Sequence, residues 1–284
     1  MELLQPISSQ MRSLELQKKL RESLAGKHDH LAKRYQNCLP NFIVIGAAKS
    51  ATTSLAKVLS RHPDIHFSSA KEPKFFGRNY LRGWDWYAHF FERGRDQLLR
   101  GEASTMYSSS SREFQYTPQL IAHHLGLIKL IYVVRHPMKR IASHWRHYRG
   151  RYPNCPEFQD ILCNKSMRKR VVETSLYHQQ LKRYLHVFPS DIIHCMTYEE
   201  LISQPRKTLS AMFSFLGVKA KLGKVLRKGK IPTKNMAGTK GRVLVDPPVW
   251  SPRLKQELLD IVRPDAELML HHMGRPLDTW DWSL

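Results

Sequence analysis

The stretch that most constrains this chain is Asn41-Phe-Ile-Val-Ile-Gly-Ala-Ala-Lys49-Ser-Ala-Thr-Thr-Ser-Leu55. Phe42 to Ile45 is a short apolar, β-branched run, as a buried parallel strand requires. Gly46-Ala-Ala is a small-residue turn, and from about Ala51 the apolar spacing becomes helical, with Leu55, Val58 and Leu59 on one face. A strand, a tight turn and a helix N-terminus carrying Lys, Ser and Thr make an anion cradle, because first-turn amides and the helix dipole both favour negative charge there. The spacing disfavours a Walker A loop, G-x-x-x-x-G-K-[ST], and with it a nucleoside triphosphate kinase or GTPase. Counted from Gly46, its second Gly falls on Ala51 and its Lys on Thr52, while the loop's own Lys49 comes three residues earlier.

Charge narrows the partners. In 284 residues, 46 Lys+Arg oppose 24 Asp+Glu, a formal +22. Such a field suits polyanions: a phosphorylated cofactor, an acidic glycan, nucleic acid or an anionic surface. Residues 201–245 carry eleven Lys/Arg and residues 114–156 seven, both without an acid. No apolar run approaches the roughly 20 residues of a membrane span, and the polar start, with Glu2 and Gln5, is unlike a signal peptide. A cytoplasmic protein is the expectation. The four cysteines have no metal-ligand spacing and the histidines lie scattered, so no metal is assigned.

The rest of the chain alternates strands and helices. Strands are expected at Ile65–Phe67, ending near Ser104, at Lys129–Val134 and at Asp191–Met196. Helices are expected around Trp84–Phe91, at Pro118–His124, Pro137–Tyr148, Pro156–Cys163, Val171–Phe188, Pro205–Leu216 and Pro252–His271. This alternation predicts an α/β fold: three layers, P-loop-like, with a central parallel β-sheet flanked by helices. Residues 1–40 form a peripheral N-terminal helical extension, and residues 41–284 the main domain.

A second anion site is written in Val133-Val-Arg135-His-Pro137-Met-Lys-Arg140-Ile-Ala-Ser143. Arg135 stands at the carboxyl end of a parallel strand, where open α/β sheets bind ligands. Pro137 suits a first helical turn and sets Ser143 about two turns in. Taken together, the two segments resemble the PAPS-dependent sulfotransferases, whose K-x-G-T-T/S loop holds the 5′-phosphosulfate of 3′-phosphoadenosine 5′-phosphosulfate and whose R-x-P…R…S segment holds its 3′-phosphate. Lys71-Glu72-Pro-Lys74-Phe75-Phe76, Gly83-x-x-Trp86-Tyr87, Thr174-Ser-Leu-Tyr177-x-x-x-Leu181-x-x-Tyr184, Lys240-Gly241-Arg242 and Gly274-Arg-Pro-Leu277-x-x-Trp280 resemble segments of the heparan sulfate, or glycosaminoglycan, branch. The resemblance is to a soluble, bacterial-type member and covers about residues 41–282.

The resemblance implies transfer of a sulfuryl group from PAPS, leaving PAP, to a hydroxyl or amine of an acceptor, a carbohydrate first. It makes Glu72 the general base and has Lys49 stabilise the leaving phosphate. Cofactor contacts would come from Lys49, Ser50, Ala51, Thr52, Thr53 and Ser54, from Arg135, Ser143 and Tyr177, and from Lys240, Gly241 and Arg242. Lys74, Lys228 and Lys230 are candidate acceptor contacts. Glu102 remains a rival base. Ala51 departs from the family's Gly and must avoid a positive φ or carry strain, while Ala103 stands where many heparan enzymes have Lys, leaving the acceptor open. Two other readings stay in play: a divergent P-loop nucleotide kinase, and a basic nucleic-acid-binding protein, although no known nucleic-acid module is visible.

Overall fold

The computed structural model describes residues 9–232 and 244–283. Lys240, Gly241 and Arg242 lie outside the described residues. Among the described residues, no helix is long and apolar enough to cross a membrane.

Five short runs make one parallel sheet: β1 Phe42–Gly46, β2 Ile65–Phe67, β3 Leu99–Ala103, β4 Lys129–Val134 and β5 Ile193–Thr197, ordered β2-β3-β1-β4-β5. β1 is buried along its whole length. Its Phe42 and Val44 join one apolar cluster and its Ile43 and Ile45 the other. A strand buried on both faces needs helices on both, which is why the apolar run is continuous rather than alternating. The second helical layer follows from that requirement.

The helices through the first half of the chain are α1 Ser9–Leu24, α2 Asp29–Lys33, α3 Thr52–Leu59, α4 Trp84–Ala88, α5 Thr117–Leu125 and α6 Pro137–Arg149. One face of the sheet is covered by α3, through Leu55, Val58 and Leu59, and by the helix Pro205–Leu216, through Leu209, Met212 and Phe213. The helix Pro205–Leu216 stops at Gly217, whose φ of 85° supplies the left-handed C-terminal turn. The other face is covered by α1, α4, α5 and the helices Tyr177–Leu185 and Pro252–His272. The expected three-layer α/β architecture is observed.

Three expectations need correction, the first at Pro156–Cys163, where a 3-10 turn, Phe158–Asp160, stands in place of a helix. The N-terminal helices are not peripheral, since Leu16 and Leu20, one helical turn apart, are buried in the main core. Gln17 secures the contact, donating to the Arg112 carbonyl at 3.2 Å and accepting from Gln115 at 2.6 Å. Nor is Val171–Phe188 one helix. A π-helical turn, Arg168–Val172, and a 3-10 turn, Glu173–Ser175, precede a fresh start at Tyr177. Asp265, distant in sequence, accepts from the amides of His178 (2.9 Å) and Gln179 (2.8 Å) and so caps the new helix.

With all strands parallel, the segments following β1, β2, β3 and β4 emerge at one edge of the sheet. β1 lies between β3 and β4, so the loops after these three strands meet there. Gly46 permits the close approach: a Cβ at that position would stand 1.9 Å from Ser108 Oγ.

Candidate active site

A cleft of about 670 Å³ opens at this edge, lined by the loop after β1, the segment Lys71–Lys74, Thr105 and Met106 after β3, and Arg135 and Ser143 after β4. Residues spread from Lys49 to Ser143 are thereby gathered by the fold into one place. Lys49, Ala51, Thr52, Thr53, Ser54, Glu72, Lys74, Arg135 and Ser143 all face it.

The loop after β1 makes an anion cradle by turning sharply. Lys49 (φ 74°) and Ala51 (φ 60°) both hold left-handed backbone, so Ala51 takes the strained conformation that Gly would adopt freely. Two arginines hold the loop's carbonyls. Arg135 Nη1 donates to the Lys49 carbonyl and Arg140 Nη1 to the Ala48 carbonyl, each at 3.2 Å. α3 then begins at Thr52, and a helix leaves its first amides without intrahelical acceptors.

Arg135 is positioned from behind. The Tyr177 hydroxyl donates to its carbonyl at 2.7 Å, and its guanidinium lies 4.5 Å over the Tyr198 ring. Tyr177 is therefore fully buried beneath the site and is not part of the cleft wall. Arg135 Nε and Ser50 Oγ are buried and have no hydrogen-bond partner. Buried polar atoms are normally satisfied; Arg135 lines the cleft and fits the oxygens of a bound anion, whereas Ser50 is fully buried and lies outside the lining.

The segment after β2 brings the acid. Glu72 Oε2 pairs with Lys74 Nζ at 2.9 Å, and Glu72 Oε1 accepts from Thr105 Oγ1 at 3.1 Å. Burial raises the Glu72 pKa, but Lys74, Lys71 and the Thr105 hydroxyl together outweigh it and hold the group below the usual 4.5. Glu72 is thus ionised and open to the cleft. Glu102 is not: it is fully buried, takes hydrogen bonds from Ser104 (2.6 Å), Tyr107 (2.9 Å) and Tyr87 (3.2 Å), and is pushed up to about 7 by burial. Its two relays reach the segment above. The Lys74 amide donates to Ser104 Oγ at 2.8 Å and the Phe76 amide to the Tyr107 hydroxyl at 3.1 Å.

Several lining residues had no motif to announce them: Tyr148, Arg151, Tyr152, Arg170 and Tyr198. The acid-free run 114–156 signalled the charge of this wall, though not which side chains would form it. Arg140 was also missed as a support. It is fully buried, with only neutral partners: Ser175 Oγ at 2.7 Å, His144 Nδ1 at 3.0 Å and the Ala48 and Val171 carbonyls. Burial and the Arg140 charge hold His144 well below the usual imidazole range, leaving Nδ1 free to accept. Lys49, Lys71, Lys74, Arg78, Arg135, Arg151 and Arg170 line the cleft against one acid, Glu72. Lys228 and Lys230 are exposed and lie outside the lining, to which the described residues of this segment contribute Ile231 and Pro232.

The sequence profile of the sulfotransferase domain matches residues 39–232. The chain belongs to the sulfotransferase family. It is similar to human heparan sulfate glucosamine 3-O-sulfotransferase 3B1, 32% identical over 188 residues, covering 64% of this chain and 47% of that protein. The mouse heparan sulfate glucosamine 3-O-sulfotransferase 5 is 27% identical over 236 residues, covering 74% of this chain and 67% of that one. The chain spans about half the length of the first of these relatives. Among solved structures, a sulfotransferase from Alicyclobacillus acidocaldarius superposes with a TM-score of 0.69 at 26% identity, covering 85% of this chain and 98% of that chain. The sulfotransferase match spans β1 to β5 and every described segment of the cleft, and it begins after α1 and α2.

Proposed function

We propose that this chain transfers a sulfuryl group from PAPS to a hydroxyl or amine of an acceptor, a carbohydrate first. The observation that carries this reading is the meeting of Lys49, Glu72, Arg135 and Ser143 on one basic cleft. The carbohydrate rests on the curated relatives, which are named for heparan sulfate glucosamine, and on the excess of lysine and arginine around Glu72.

When bound, PAPS supplies an activated sulfuryl group on a phosphate that departs. Lys49 neutralises charge growing on that phosphate, while Ala51, Thr52, Thr53 and Ser54 hold it with hydroxyls and first-turn amides. Arg135 and Ser143 hold the 3′-phosphate, the guanidinium by charge-assisted hydrogen bonds. Tyr177 acts by fixing Arg135. Glu72 takes the acceptor's proton, and Lys74 orients an acceptor carrying negative charge.

Calorimetry with PAP and with AMP, followed by mass spectrometry of acceptors incubated with PAPS, tests the reading. PAP should bind at micromolar affinity or better without a divalent metal, AMP more weakly, and an acceptor should gain a sulfuryl group. Equal binding of the two nucleotides would remove the 3′-phosphate assignment. Turnover of ATP with Mg²⁺ and none with PAPS would replace the reading with a kinase.

A further inference from the structure

His123 and His124 end α5, shortly before the chain enters β4 at Lys129, and so stand at the amino-terminal edge of the sheet, opposite the cleft. Asp29, in the first turn of α2, meets them there. Its Oδ1 lies 2.7 Å from His123 Nε2 and 3.9 Å from His124 Nδ1, and the three ligand atoms all fall within 4.8 Å of one another. In a tetrahedral zinc site, with bonds of about 2.0–2.1 Å, ligand atoms sit about 3.3 Å apart. The observed separations bracket that value. The two adjacent rings are perpendicular, at 89°, and both present a nitrogen to the same carboxylate oxygen.

The support behind His124 gives this trio its chemistry. The His124 side chain is 1% exposed, and its Nε2 lies 2.6 Å from Ser23 Oγ. Ser23 Oγ also bonds the Tyr80 hydroxyl, which reaches His28 Nδ1 at 3.2 Å. Protons run consistently along this chain if His124 Nε2–H donates to Ser23, Ser23 to Tyr80 and Tyr80 to His28. Nδ1 of His124 is then a bare lone pair aimed at a carboxylate beyond hydrogen-bond distance. Metal-ligating histidines are held in this way, with the other ring nitrogen donating to a buried partner.

We propose that Asp29, His123 and His124 bind a divalent transition-metal ion of the zinc class, with water as fourth ligand. Two imidazoles and one carboxylate suit Zn²⁺, Co²⁺ or Ni²⁺, whereas Mg²⁺ and Ca²⁺ prefer oxygen alone. The ion clips α2, which precedes the sulfotransferase match, to α5 within it, joining residues 94 apart in sequence. It is a structural clip, separate from the chemistry of the cleft.

The test uses the whole chain, stripped with a chelator and titrated with ZnCl₂ by calorimetry. One Zn²⁺ should bind per chain with micromolar affinity or better and raise Tm. His123→Ala and Asp29→Asn, both at partly exposed side chains, should each weaken binding at least tenfold while leaving the metal-free Tm within a few degrees. Cys163→Ser, at the exposed thiol, should bind as the wild type does. Absence of a saturable site, wild-type affinity in either Asp29 or His123 variant, or loss of binding in Cys163→Ser would overturn the proposal.

Discussion

Lys74 Nζ stands 2.9 Å from Glu72 Oε2, and both residues hold left-handed backbone, φ 52° and 55°, on either side of Pro73. A residue before proline is normally driven to extended backbone, so Glu72 is held where it is against its preference. The holding groups are visible: Asn79 donates to the Pro73 carbonyl at 2.7 Å, and Ser104 accepts the Lys74 amide. Among the described residues six non-glycines have positive φ, and four of them, Lys49, Ala51, Glu72 and Lys74, line the cleft. Strain gathered in this way is what a preorganised site carries.

The pair makes a prediction about rate. Glu72→Gln should leave PAP affinity nearly unchanged and lower turnover by about 10²–10⁴, the usual share of general-base catalysis. Lys74→Met should act on pH instead. Burial raises the Glu72 pKa and Lys74 lowers it, so removing the lysine moves the pKa up. A base works only above its pKa, and the acid limb of the rate profile should therefore shift to higher pH. Profiles of kcat/KM for the two variants check this; an unmoved acid limb in Lys74→Met would contradict the role given to the ion pair.

Arg135 predicts selectivity between nucleotides. Its Nε is buried and unpartnered, and its side chain is braced by Tyr198 and Lys49. Arg135→Ala should weaken PAP by about 1.5–3 kcal/mol, the range for a hydrogen bond to a charged group, and AMP far less. Calorimetry on both ligands decides it, since an equal loss would mean that Arg135 shapes the loop rather than binding the 3′-phosphate.

Ala51 offers a test of the strained loop. At φ 60° an alanine costs about 1–2 kcal/mol that glycine does not, offset in part by the extra freedom of glycine in the unfolded chain, about 0.4–1 kcal/mol. Ala51→Gly should thus raise stability by up to about 1.5 kcal/mol in denaturant melts and keep PAP binding. A clear destabilisation would indicate that the Ala51 methyl packs in a way that outweighs the backbone term.

What the sequence revealed follows the range of the interactions. The strand, turn and helix from Phe42 to Leu59 and the Arg135 to Ser143 segment are local patterns, and both are found where their spacing predicted. The break at Leu176 was hidden because its cause, the Asp265 carboxylate, lies 87 residues from His178. Arg140 reads locally as one more basic helix residue, yet its contact with Ala48 spans 92 residues and braces the anion loop. Asp29 and His123 are likewise brought together only by the docking of α1 and α2, so no ligand spacing could announce them. Glu72 was the expected base and Glu102 its rival, and burial separates them, one opening on the cleft and the other sealed beneath it.

That sealed acid sets the pH dependence of stability. Burial lifts the Glu102 pKa from 4.5 to about 7 despite hydrogen bonds from Ser104, Tyr107 and Tyr87. With a raised folded-state pKa, the unfolded chain gives up its proton first as pH rises. The contribution is therefore fully present below about pH 4.5 and is lost progressively until pH passes about 7. The loss amounts to about 3 kcal/mol at 1.36 kcal/mol per pH unit. Glu102→Gln keeps the shape, stays neutral throughout and can still accept from both tyrosines. Its stability relative to wild type should therefore rise steadily from about pH 5 to about pH 8. Thermal or denaturant melts of the two proteins across that range measure the difference directly. Parallel curves would mean that Glu102 is ionised in the folded state at acid pH, and that its three hydroxyl donors, rather than burial, govern it.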